Sequence, residues 1–357
     1  MSRADDIRRA FLVQADWCDR LGSPFTALLC TALATALDAA TPIGQRVLGW
    51  PGDPTADALA LRLCGGLHAL VRGGRAPKLS VLYPPASLPP EQVLARELQS
   101  VLDAHAASLH PWLDRPPQTN EVGRSAVLMS GLLAVSDRFR LPLRLFELGA
   151  SAGLNLQLDR YAIRLGGIAA GCEHSPLRLD PEWRGAPPPE ARPEISGRFG
   201  VDLDPIDAVS ARERLLAYVW PDQGERLNRL GAALDLAAAD PPPVAQGDAA
   251  DWIETHLTAA PGTGVCRVVL HSVAFEYFPA ATQARVRARL QEAGARANEA
   301  APLAWLRYEK MAEDREFSLR LRCWPGEDRL LAWAHAHGAW IDWVAGRPAT
   351  GSGPVRL

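Results

Sequence analysis

A run of small residues between Glu147 and Asn155 has the composition of a ligand-binding turn. It joins a β-like stretch to a helix-like one and contains Gly149, Ala150, Ser151 and Gly153. Small residues let a ligand come close to the backbone, and the free amides at the start of the following helix favour an anionic or strongly polar group. We therefore expect a cofactor to bind at this turn, with close packing as the alternative explanation of the glycines.

Polar side chains follow three later β-like stretches. Asp202 ends the first, Asp248 followed by Ala249 ends the second, and His271-Ser272 ends the third. A carboxylate at a strand end can accept two hydrogen bonds from a ribose diol. For either acid taken singly, capping of the next helix is an equally good explanation. Their occurrence at successive strand ends favours a cofactor.

The segment Gln118-Thr119-Asn120-Glu121 precedes another predicted helix, with Arg124 one turn further on. Thr119 or Asn120 is expected to cap that helix. Alternatively, the segment closes over a ligand, and Arg124 pairs bidentately with a carboxylate of the cofactor or of an acidic substrate.

The composition excludes several classes of protein. Of 357 residues, 38 are Lys or Arg and 41 are Asp or Glu, so a net charge of -3 gives no field to attract nucleic acid or an anionic membrane. Neither Lys78 nor Lys310 lies in a glycine-rich loop, which excludes a P-loop nucleotidase. The six cysteines lack zinc-ribbon spacing, and His335-Ala-His337 has no third ligand in view, so we expect no metal.

The first residues carry charges where a signal peptide needs an apolar run, and no apolar stretch reaches the roughly 20 residues of a membrane span. We therefore expect a cytoplasmic protein with a small-molecule substrate and with neither nucleic acid nor membrane as partner. No motif in the sequence indicates an oligomeric state.

Hydrophobic periodicity predicts a helical N-terminal region followed by an α/β domain. Helical spacing covers 6–20, the residues after Pro24, 55–72, 90–113 and 119–139, and 78–83 is a candidate extended piece. Strand-then-helix units then alternate: 143–148 before 154–159, 197–203 before 206–219, 243–246 before 249–258, and 266–273 before 280–297. Strands near 303–309, 317–324 and 339–344 and a helix near 328–337 complete the pattern. It predicts a Rossmann-like, mostly parallel sheet with helices on both faces.

Two parts are therefore expected, a helical region over 1–115 and a sheet domain over 116–357. The stretch 160–195 contains Gly166-Gly167 and Pro187-Pro-Pro189. These breakers predict a hairpin plus loop, inserted between the first two strands of the sheet.

Glu147 to Asn155, followed by Gly-Val-Asp202 and Gly-Asp248-Ala, resembles the nucleotide-binding half of class I S-adenosylmethionine-dependent methyltransferases. Almost the whole chain also resembles an uncharacterised bacterial family, domain of unknown function 2332. Its long motifs are matched by Pro116-Pro-Gln-Thr-Asn-Glu-Val-Gly-Arg124, Glu147 to Asn155, Val219-Trp-Pro-Asp222, Gly247-Asp-Ala249, His271-Ser272 and His337-Gly338-Ala-Trp340. The resemblance implies a methyltransferase-like fold and no particular reaction.

The methyltransferase resemblance implies a role for each residue of the site. Gly149, Ser151 and Gly153 would form the wall beside the methionine part of S-adenosylmethionine, and Glu147 would support that wall. Asp202 would hold the ribose and Asp248 would face the adenine amine. Further candidates for cofactor binding are Ala150, Asn155, Ala249 and Ser272. Independently of the resemblance, the candidates for binding a carboxylate of the cofactor or substrate are Gln118, Asn120 and Arg124.

Two features depart from the methyltransferase pattern. Ser151 stands where the middle glycine is usual, and its side chain could crowd the sulfonium. Asp202 follows Gly153 by 49 residues, whereas a ribose-binding acid is expected about 20 residues after the turn. The insertion at 160–195 absorbs the excess, with Glu173 as a rival acid that no clear strand precedes.

Methyl transfer needs a positioned nucleophile, a dry pocket and sometimes a base. His271 is the nearest candidate base, with Tyr277 and Glu276 shaping the pocket, and a purely structural histidine is the alternative. The site lacks the Asn/Asp-Pro-Pro-Tyr run of nucleic-acid amino-methylating enzymes, which favours a small-molecule substrate.

Two other functions fit parts of the pattern. Gly149-Ala-Ser151-Ala-Gly153 satisfies Gly-x-Ser-x-Gly, and Asp248 or Asp251 followed by His271 or His337 would complete a serine hydrolase. The preceding residues are helical, however, whereas that elbow needs several strands before it. The other alternative is a non-catalytic nucleotide sensor, because fold alone does not entail activity.

Overall fold

The computed structural model describes residues 2–258, 262–312 and 314–346. Its helices are α1 (Arg3–Arg20), α2 (Pro24–Ala36), α3 (Pro42–Leu48), α4 (Leu59–Arg72), α5 (Pro77–Ser80), α6 (Glu91–Ala104), α7 (Ala106–Leu113), α8 (Arg124–Phe139), α9 (Arg212–Ala217), α10 (Gly224–Ala239), α11 (Ala249–Thr258) and α12 (Ala280–Ala295). Its strands are β1 (Leu143–Leu148), β2 (Ala162–Leu165), β3 (Ile168–Gly171), β4 (Arg178–Leu179), β5 (Glu182–Gly185), β6 (Ile195–Asp202), β7 (Val244–Gln246), β8 (Cys266–Ser272), β9 (Leu303–Glu309), β10 (Phe317–Trp324), β11 (Asp328–Ala334) and β12 (Trp340–Trp343). Leu154–Arg160 and Phe275–Tyr277 are short 3-10 helices. The chain divides into two compact units: a helical unit, which comprises the chain up to Thr119 together with Ala211–Gly231, and a sheet unit, which comprises Asn120–Ser210 and the chain from Ala232 onward.

The helical unit begins with the two helices that the sequence predicts. Ser2 and Asp5 form a capping box at the start of α1, and apolar residues at helical spacing bury one face of this helix. Gly22 then adopts a φ of +78°, a backbone conformation that glycine tolerates best. Ser23 caps α2, whose first residue is Pro24.

Residues 211–231 complete the helical unit through polar contacts with its N-terminal part. The carboxylate of Asp222 accepts hydrogen bonds from the Ser23 hydroxyl and, at 2.8 Å, from the N–H of Phe25. It therefore places a negative charge at the start of α2, where the helix dipole favours one. The buried His68 in α4 bonds through Nδ1 to the carbonyl oxygen of Ala217 at 3.1 Å. Since a carbonyl only accepts, Nδ1 carries the proton.

The sheet unit is built on a nine-stranded sheet in the order β5-β12-β11-β10-β9-β8-β1-β6-β7. Strands β7, β6, β1, β8 and β9 are mutually parallel. Strands β9 to β12 are joined by antiparallel pairs, and β5 pairs in parallel with β12 at the edge. Strand β6, the next strand of this sheet along the chain, lies on one side of β1, and β8 lies on the other, so the strand order reverses between β1 and β8.

Helices cover both faces of this sheet. Phe146, Leu148 and Val269 share an apolar cluster with residues of α11 and α12 on one face. Side chains alternate along a strand, so their neighbours point to the other face, where α8 packs. Gly131 brings α8 close to the sheet, because a Cβ there would lie 2.4 Å from a methyl carbon of Leu306. The mixed α/β architecture with a mostly parallel sheet and an N-terminal helical region is therefore confirmed.

The predicted hairpin in the insertion is confirmed, but the insertion contains more than a hairpin. Strands β2 and β3 are antiparallel neighbours, and β4 pairs in parallel with β2 to complete a three-stranded sheet. Strand β5 then crosses to the edge of the large sheet, which the sequence analysis did not predict.

Two predicted elements are wrong. The helix expected near 328–337 is the strand β11, which pairs with β10 on one side and β12 on the other. Consecutive residues of β11 are buried, Leu331 and Ala332 among them, so its apolar pattern lacks the alternation that signals a strand. The extended piece expected at 78–83 is largely the short helix α5, with Pro77 at its first position.

Within the ranges that the structure describes, no helix combines the length and the apolar character needed to cross a bilayer.

Candidate functional site

The turn after β1 is held in a conformation that only small residues adopt easily. Gly149, Ser151 and Gly153 have φ angles of +71°, +53° and +70°. A Cβ at Gly149 would lie 2.7 Å from the Cβ of Ala274, and one at Gly153 would lie 2.8 Å from Pro242 and Val244. Both glycines are therefore required by packing as well as by backbone conformation.

The same turn is tied to the neighbouring strand β6. The N–H groups of Gly149 and Ala150 both donate to the carbonyl oxygen of Val201, at 2.9 and 3.0 Å. Asp202, the last residue of β6, accepts the N–H of Ser151 at 2.8 Å on Oδ2 and that of Asp204 at 3.0 Å on Oδ1. The structure thus places the Asp202 carboxylate directly against the small-residue turn.

Glu147, near the end of β1, is a buried carboxyl group with only 1% of its surface exposed. Its Oε2 has no hydrogen-bond partner among the described residues. Burial, followed by the negative charge of Asp202, raises the pKa of Glu147 to about 8, and Asn155 and Arg124 oppose this rise only in part. Near neutral pH this carboxyl group is therefore largely protonated.

Asn120 and Asn155 brace the 3-10 helix that follows the turn. Oδ1 of Asn120 accepts the N–H of Leu154 at 2.9 Å, and Oδ1 of Asn155 accepts the Ser125 hydroxyl at 2.7 Å. Helix α8 is not capped by Thr119 or Asn120 as predicted; its N-cap residue is Gly123, whose N–H donates to the Glu121 carboxylate. Asn120 instead accepts a hydrogen bond from Leu154, just after the turn that follows β1. This contact is distant in sequence, so the local sequence does not reveal it.

Arg124 connects three segments of the sheet unit. Its Nε donates to the carbonyl oxygen of Ala336 at 3.0 Å and its Nη1 to that of Ser272 at 3.1 Å. Gly123 and Gly338 approach closely beside it, since a Cβ at Gly123 would lie 2.2 Å from the carbonyl oxygen of His337. The segments around 120–124, 271–272 and 336–340 thus form one cluster.

His271 lies buried near the end of β8 and is hydrogen-bonded to Glu309, an acid that was not among the predicted site residues. Its Nδ1 is 2.6 Å from Oε1 of Glu309, at the end of β9. The same oxygen accepts the N–H groups of Ala274 and Phe275, both at 3.1 Å. The His271 ring stacks on that of Phe275, and its Nε2 has no partner among the described residues. A carboxylate ending a fifth strand was the available signal for Glu309.

Backbone strain accompanies this histidine–glutamate pair. Val273 adopts a φ of +50°, which is unusual for a β-branched residue. Its N–H donates to the carbonyl oxygen of Tyr308 at 2.8 Å. Strained positions of this kind persist where the surroundings hold them and cluster at functional sites.

The structure places Asp248 at the N-terminus of α11. Its Oδ1 accepts the N–H groups of Ala250 and Asp251, and its Oδ2 accepts the hydroxyl of Thr282 at 3.0 Å. Ala249, the first residue of α11, is buried. The carboxylate is therefore directed toward α11 and α12, whereas Asp202 is directed toward the turn after β1.

The remaining predicted residues, Tyr277, Ser272 and Gln118, differ in burial and position. Tyr277, on the 3-10 helix after β8, is exposed. Burial of its hydroxyl end and the neighbouring carboxylate of Glu276 raise the pKa of Tyr277. Ser272 is buried and contributes its carbonyl oxygen to Arg124. Gln118 belongs to the helical unit.

The His, Cys, Asp and Glu residues that the structure describes contain no group of three placed to hold a metal ion. A family model described as "Uncharacterized protein conserved in bacteria (DUF2332)" matches residues 8–343. No curated protein and no solved structure matches the chain.

Proposed function

Since the chain belongs to the uncharacterised bacterial family DUF2332, its activity has to be inferred from its own site, and we propose that it is an S-adenosylmethionine-dependent methyltransferase acting on a small molecule. The observation that carries this proposal is the 2.8 Å hydrogen bond between Ser151 N–H and the Asp202 carboxylate. It brings an acid and a small-residue turn together at the carboxyl ends of neighbouring parallel strands. In open α/β sheets, ligands bind at this edge where the strand order reverses.

The strand order also supports the proposal. Numbered along the chain, the five parallel strands lie side by side as third, second, first, fourth and fifth. Dinucleotide-binding sheets of the Rossmann type have this arrangement, with the ligand across the first and fourth strands.

Asp202 is suited to hold a ribose. An ionised carboxylate offers about four acceptor positions, and two of those on Asp202 are taken by backbone N–H groups. The other two can accept both hydroxyls of a ribose diol. The Asp248 carboxylate accepts its three hydrogen bonds from α11 and α12 and has Arg285 beside it, so contact with an adenine amine, which the sequence predicts, would require its side chain to turn toward the cofactor.

Glu147 and Arg124 suit the amino-acid end of the cofactor. Glu147 has a buried oxygen that lacks a partner, and Arg124 is close enough to act on its charge. A carboxyl group beside a guanidinium group matches the ammonium and carboxylate of a methionine moiety. When bound, S-adenosylmethionine supplies an activated methyl group; the protein has to orient it and keep water away.

His271 is proposed as the base that accepts a proton from the substrate, with Glu309 as its positioning residue. A carboxylate on Nδ1 fixes the proton there and leaves the lone pair on Nε2. Nε2 has no partner among the described residues, so it is available as an acceptor. The pair holds the ring in one tautomer, as an acid does in other histidine bases.

The serine-hydrolase alternative has less support. Ser151 Oγ is buried and has no hydrogen-bond partner among the described residues, whereas a serine nucleophile needs a base within hydrogen-bond reach. His271 has its acid in Glu309 rather than in Asp248 or Asp251.

Calorimetric titration of S-adenosylmethionine and S-adenosylhomocysteine into the wild type and Asp202→Asn tests the proposal. The asparagine oxygen still accepts the N–H of Ser151, so the turn keeps its support while the ribose loses an acceptor. We expect binding at least about tenfold weaker, which corresponds to about 1.4 kcal/mol. Asp204→Ala, an exposed acid two residues away, is the matched control and should bind like the wild type.

Absence of binding to the wild type, or equal affinity in Asp202→Asn, would contradict the proposal. Ester hydrolysis that is lost in Ser151→Ala would favour the hydrolase. Tight cofactor binding without methyl transfer to any member of a metabolite panel would favour a nucleotide sensor.

A further inference from the structure

A cavity that shares no lining residue with the candidate functional site lies in the sheet unit, at the three-stranded sheet of the insertion. It measures about 570 Å³, within the range of small-molecule sites. Its lining includes β2, β3 and β4, Asp159, and the segment Ala191–Pro193 that precedes β6.

The floor of this cavity is the polar face of the small sheet. Ala162 of β2 pairs with Gly171 of β3 and with Arg178 of β4, and Arg164 pairs with Ala169. Paired residues and those two positions apart along a strand share a face, so Arg164 and Arg178 rise from the same side of the sheet. The small residues Ala162, Ala169 and Gly171 lie on the same face beside them and also line the cavity.

Three arginines that line this cavity form no ion pair, although the acids Glu173 and Asp180 also line it. Among the described residues, Arg164, Arg178 and Arg192 have neither a hydrogen-bond partner nor an ion-pair partner, and all three are exposed. Exposed arginines are common in a chain with only two lysines. These three differ because they line one concavity, where guanidinium groups can converge on a single anion.

The lining of the cavity also includes a hydrogen-bond acceptor, the carboxylate of Asp159. Asp159 pairs with Arg198 through Oδ2, at 2.5 Å, but its Oδ1 is buried and without a partner among the described residues. A buried carboxylate oxygen left without a donor costs free energy, which a ligand hydroxyl would offset. The cavity thus presents cations to an anion and an acceptor to a hydrogen-bond donor.

We propose that this cavity binds a hydroxylated oxyanion of about the size of a sugar phosphate, with its anionic group on Arg164, Arg178 and Arg192 and a hydroxyl on Asp159. Phosphate and carboxylate are the two oxyanions that match an arginine fork. Inorganic anions would leave Asp159 without a donor, and neutral sugars would leave the arginines without an anion. The site is independent of the proposed cofactor site.

Calorimetry with the full chain tests this site, with ribose 5-phosphate, gluconate, inorganic phosphate and ribose as probes. We expect ribose 5-phosphate or gluconate to bind with a Kd below about 1 mM, and inorganic phosphate and ribose at least about tenfold more weakly. Whichever of the first two binds more tightly identifies the oxyanion. If neither binds, the proposal is wrong.

Variants separate this cavity from other anion sites. Arg164→Ala and Arg178→Ala should each weaken binding at least about tenfold, because a bidentate ionic contact is lost. Arg96→Ala, an exposed arginine of the helical unit that also lacks a partner, is the control for the change in charge and should leave affinity unchanged. All three positions are exposed, so the variants should fold, and thermal unfolding checks this.

Competition distinguishes the two sites. Saturating S-adenosylhomocysteine should not displace the sugar phosphate or gluconate. Displacement, or undiminished binding in both cavity variants, would place the ligand elsewhere and overturn the inference. Oxyanion binding in a protein that binds no S-adenosylhomocysteine would uphold the inference and contradict only the methyltransferase proposal.

Discussion

Glu147 links the candidate site to the stability of the sheet unit. Its pKa of about 8 in the folded chain lies above the ordinary value of 4.5, so between these pH values the folded chain holds a proton that the unfolded chain has released. The free energy of unfolding is therefore expected to fall as pH rises from about 4.5 to about 8, by up to about 1.4 kcal/mol per pH unit.

Urea unfolding at several pH values between 5 and 8 measures this slope. Glu147→Gln replaces the carboxyl group with a neutral group of the same shape, so it should flatten the slope and raise stability most at the alkaline end. Glu190→Gln removes an exposed acid and should leave the slope as in the wild type. An unchanged slope in Glu147→Gln would show that other groups cause it.

Glu309 is expected to stabilise the loop after β8 as well as to orient His271. One of its oxygens accepts three donors: His271 Nδ1 and the N–H groups of Ala274 and Phe275. Glu309→Ala should lower the free energy of unfolding by about 3–5 kcal/mol, because buried donors lose their acceptor. Glu309→Gln keeps an acceptor oxygen and should cost less than half as much.

Chemical denaturation measures both Glu309 variants, and Glu316→Ala, a nearby exposed acid, should stay within about 0.5 kcal/mol of the wild type. Equal losses in Glu309→Ala and Glu309→Gln would mean that the acceptor oxygen is not what matters. NMR of the His271 ring nitrogens gives an independent readout, since the tautomer with the proton on Nδ1 should be lost in Glu309→Ala.

Single site residues could be predicted from the sequence where a polar side chain able to bind a ligand stands at the end of a predicted strand. Asp202 and His271 were singled out because each ends a predicted strand. Glu309 was missed because its importance depends on the pairing of β8 with β9, which sets its side chain beside His271. The caps of α8 were misassigned for the same reason, since Asn120 bonds a turn 34 residues away in sequence.

Among the elements, the contact between the segments at 120–124 and 335–338 is made by glycines. A Cβ at Gly123 would lie 2.2 Å from a backbone carbonyl oxygen that has no freedom to move aside. We expect Gly123→Ala to destabilise the sheet unit by about 1–3 kcal/mol, the usual cost of overpacking, and to disturb Arg124.

Gly224→Ala is the matched control, because nothing lies within 4 Å of a Cβ at the first residue of α10. Its stability should equal or slightly exceed that of the wild type, since alanine favours helix. Thermal or urea unfolding compares the two variants, and similar stabilities would refute the close approach.

Secondary structure could be predicted where the pattern of apolar residues differs between a helix and a strand. Strands β9 and β10 have the predicted bounds, because apolar runs of strand length lie between polar breaks. For β11 the apolar pattern predicts a helix, because consecutive residues such as Leu331 and Ala332 are buried and the alternation typical of a strand is absent. The crossing of β5 to the large sheet was not predictable, because a four-residue strand carries too little pattern to specify a partner.

Across the whole molecule, the two units are expected to respond to pH in opposite ways. Burial lowers the pKa of His68, in the helical unit, from 6.5 to about 4. Below about pH 6.5, His68 binds a proton in the unfolded chain but stays neutral in the folded one. The free energy of unfolding is therefore expected to decrease as pH falls from about 6.5 toward 4. Glu147 in the sheet unit gives the reverse dependence, because its raised pKa makes the free energy of unfolding decrease as pH rises.

Hydrogen exchange, corrected for intrinsic rates, follows the amides of each unit at pH 5 and pH 8. Protection should fall in the helical unit on the acid side and in the sheet unit on the alkaline side. His68→Gln keeps a donor for the Ala217 carbonyl oxygen and should remove the acid sensitivity. Parallel loss of protection in both units at one end of the range would contradict the assignment.

The helical unit is assembled from two stretches of chain separated by the first strands of the sheet. On the ribosome, Ala217 and Asp222 are synthesised more than about 100 residues after α7, the last N-terminal helix of this unit, when β1 and β6 have already been made. Until then the start of α2 lacks the Asp222 carboxylate, and His68 lacks the carbonyl oxygen of Ala217 as its acceptor. The helical unit therefore cannot complete its fold until residue 231 has been synthesised, after β1 and β6 but before β7 to β12 of the sheet unit.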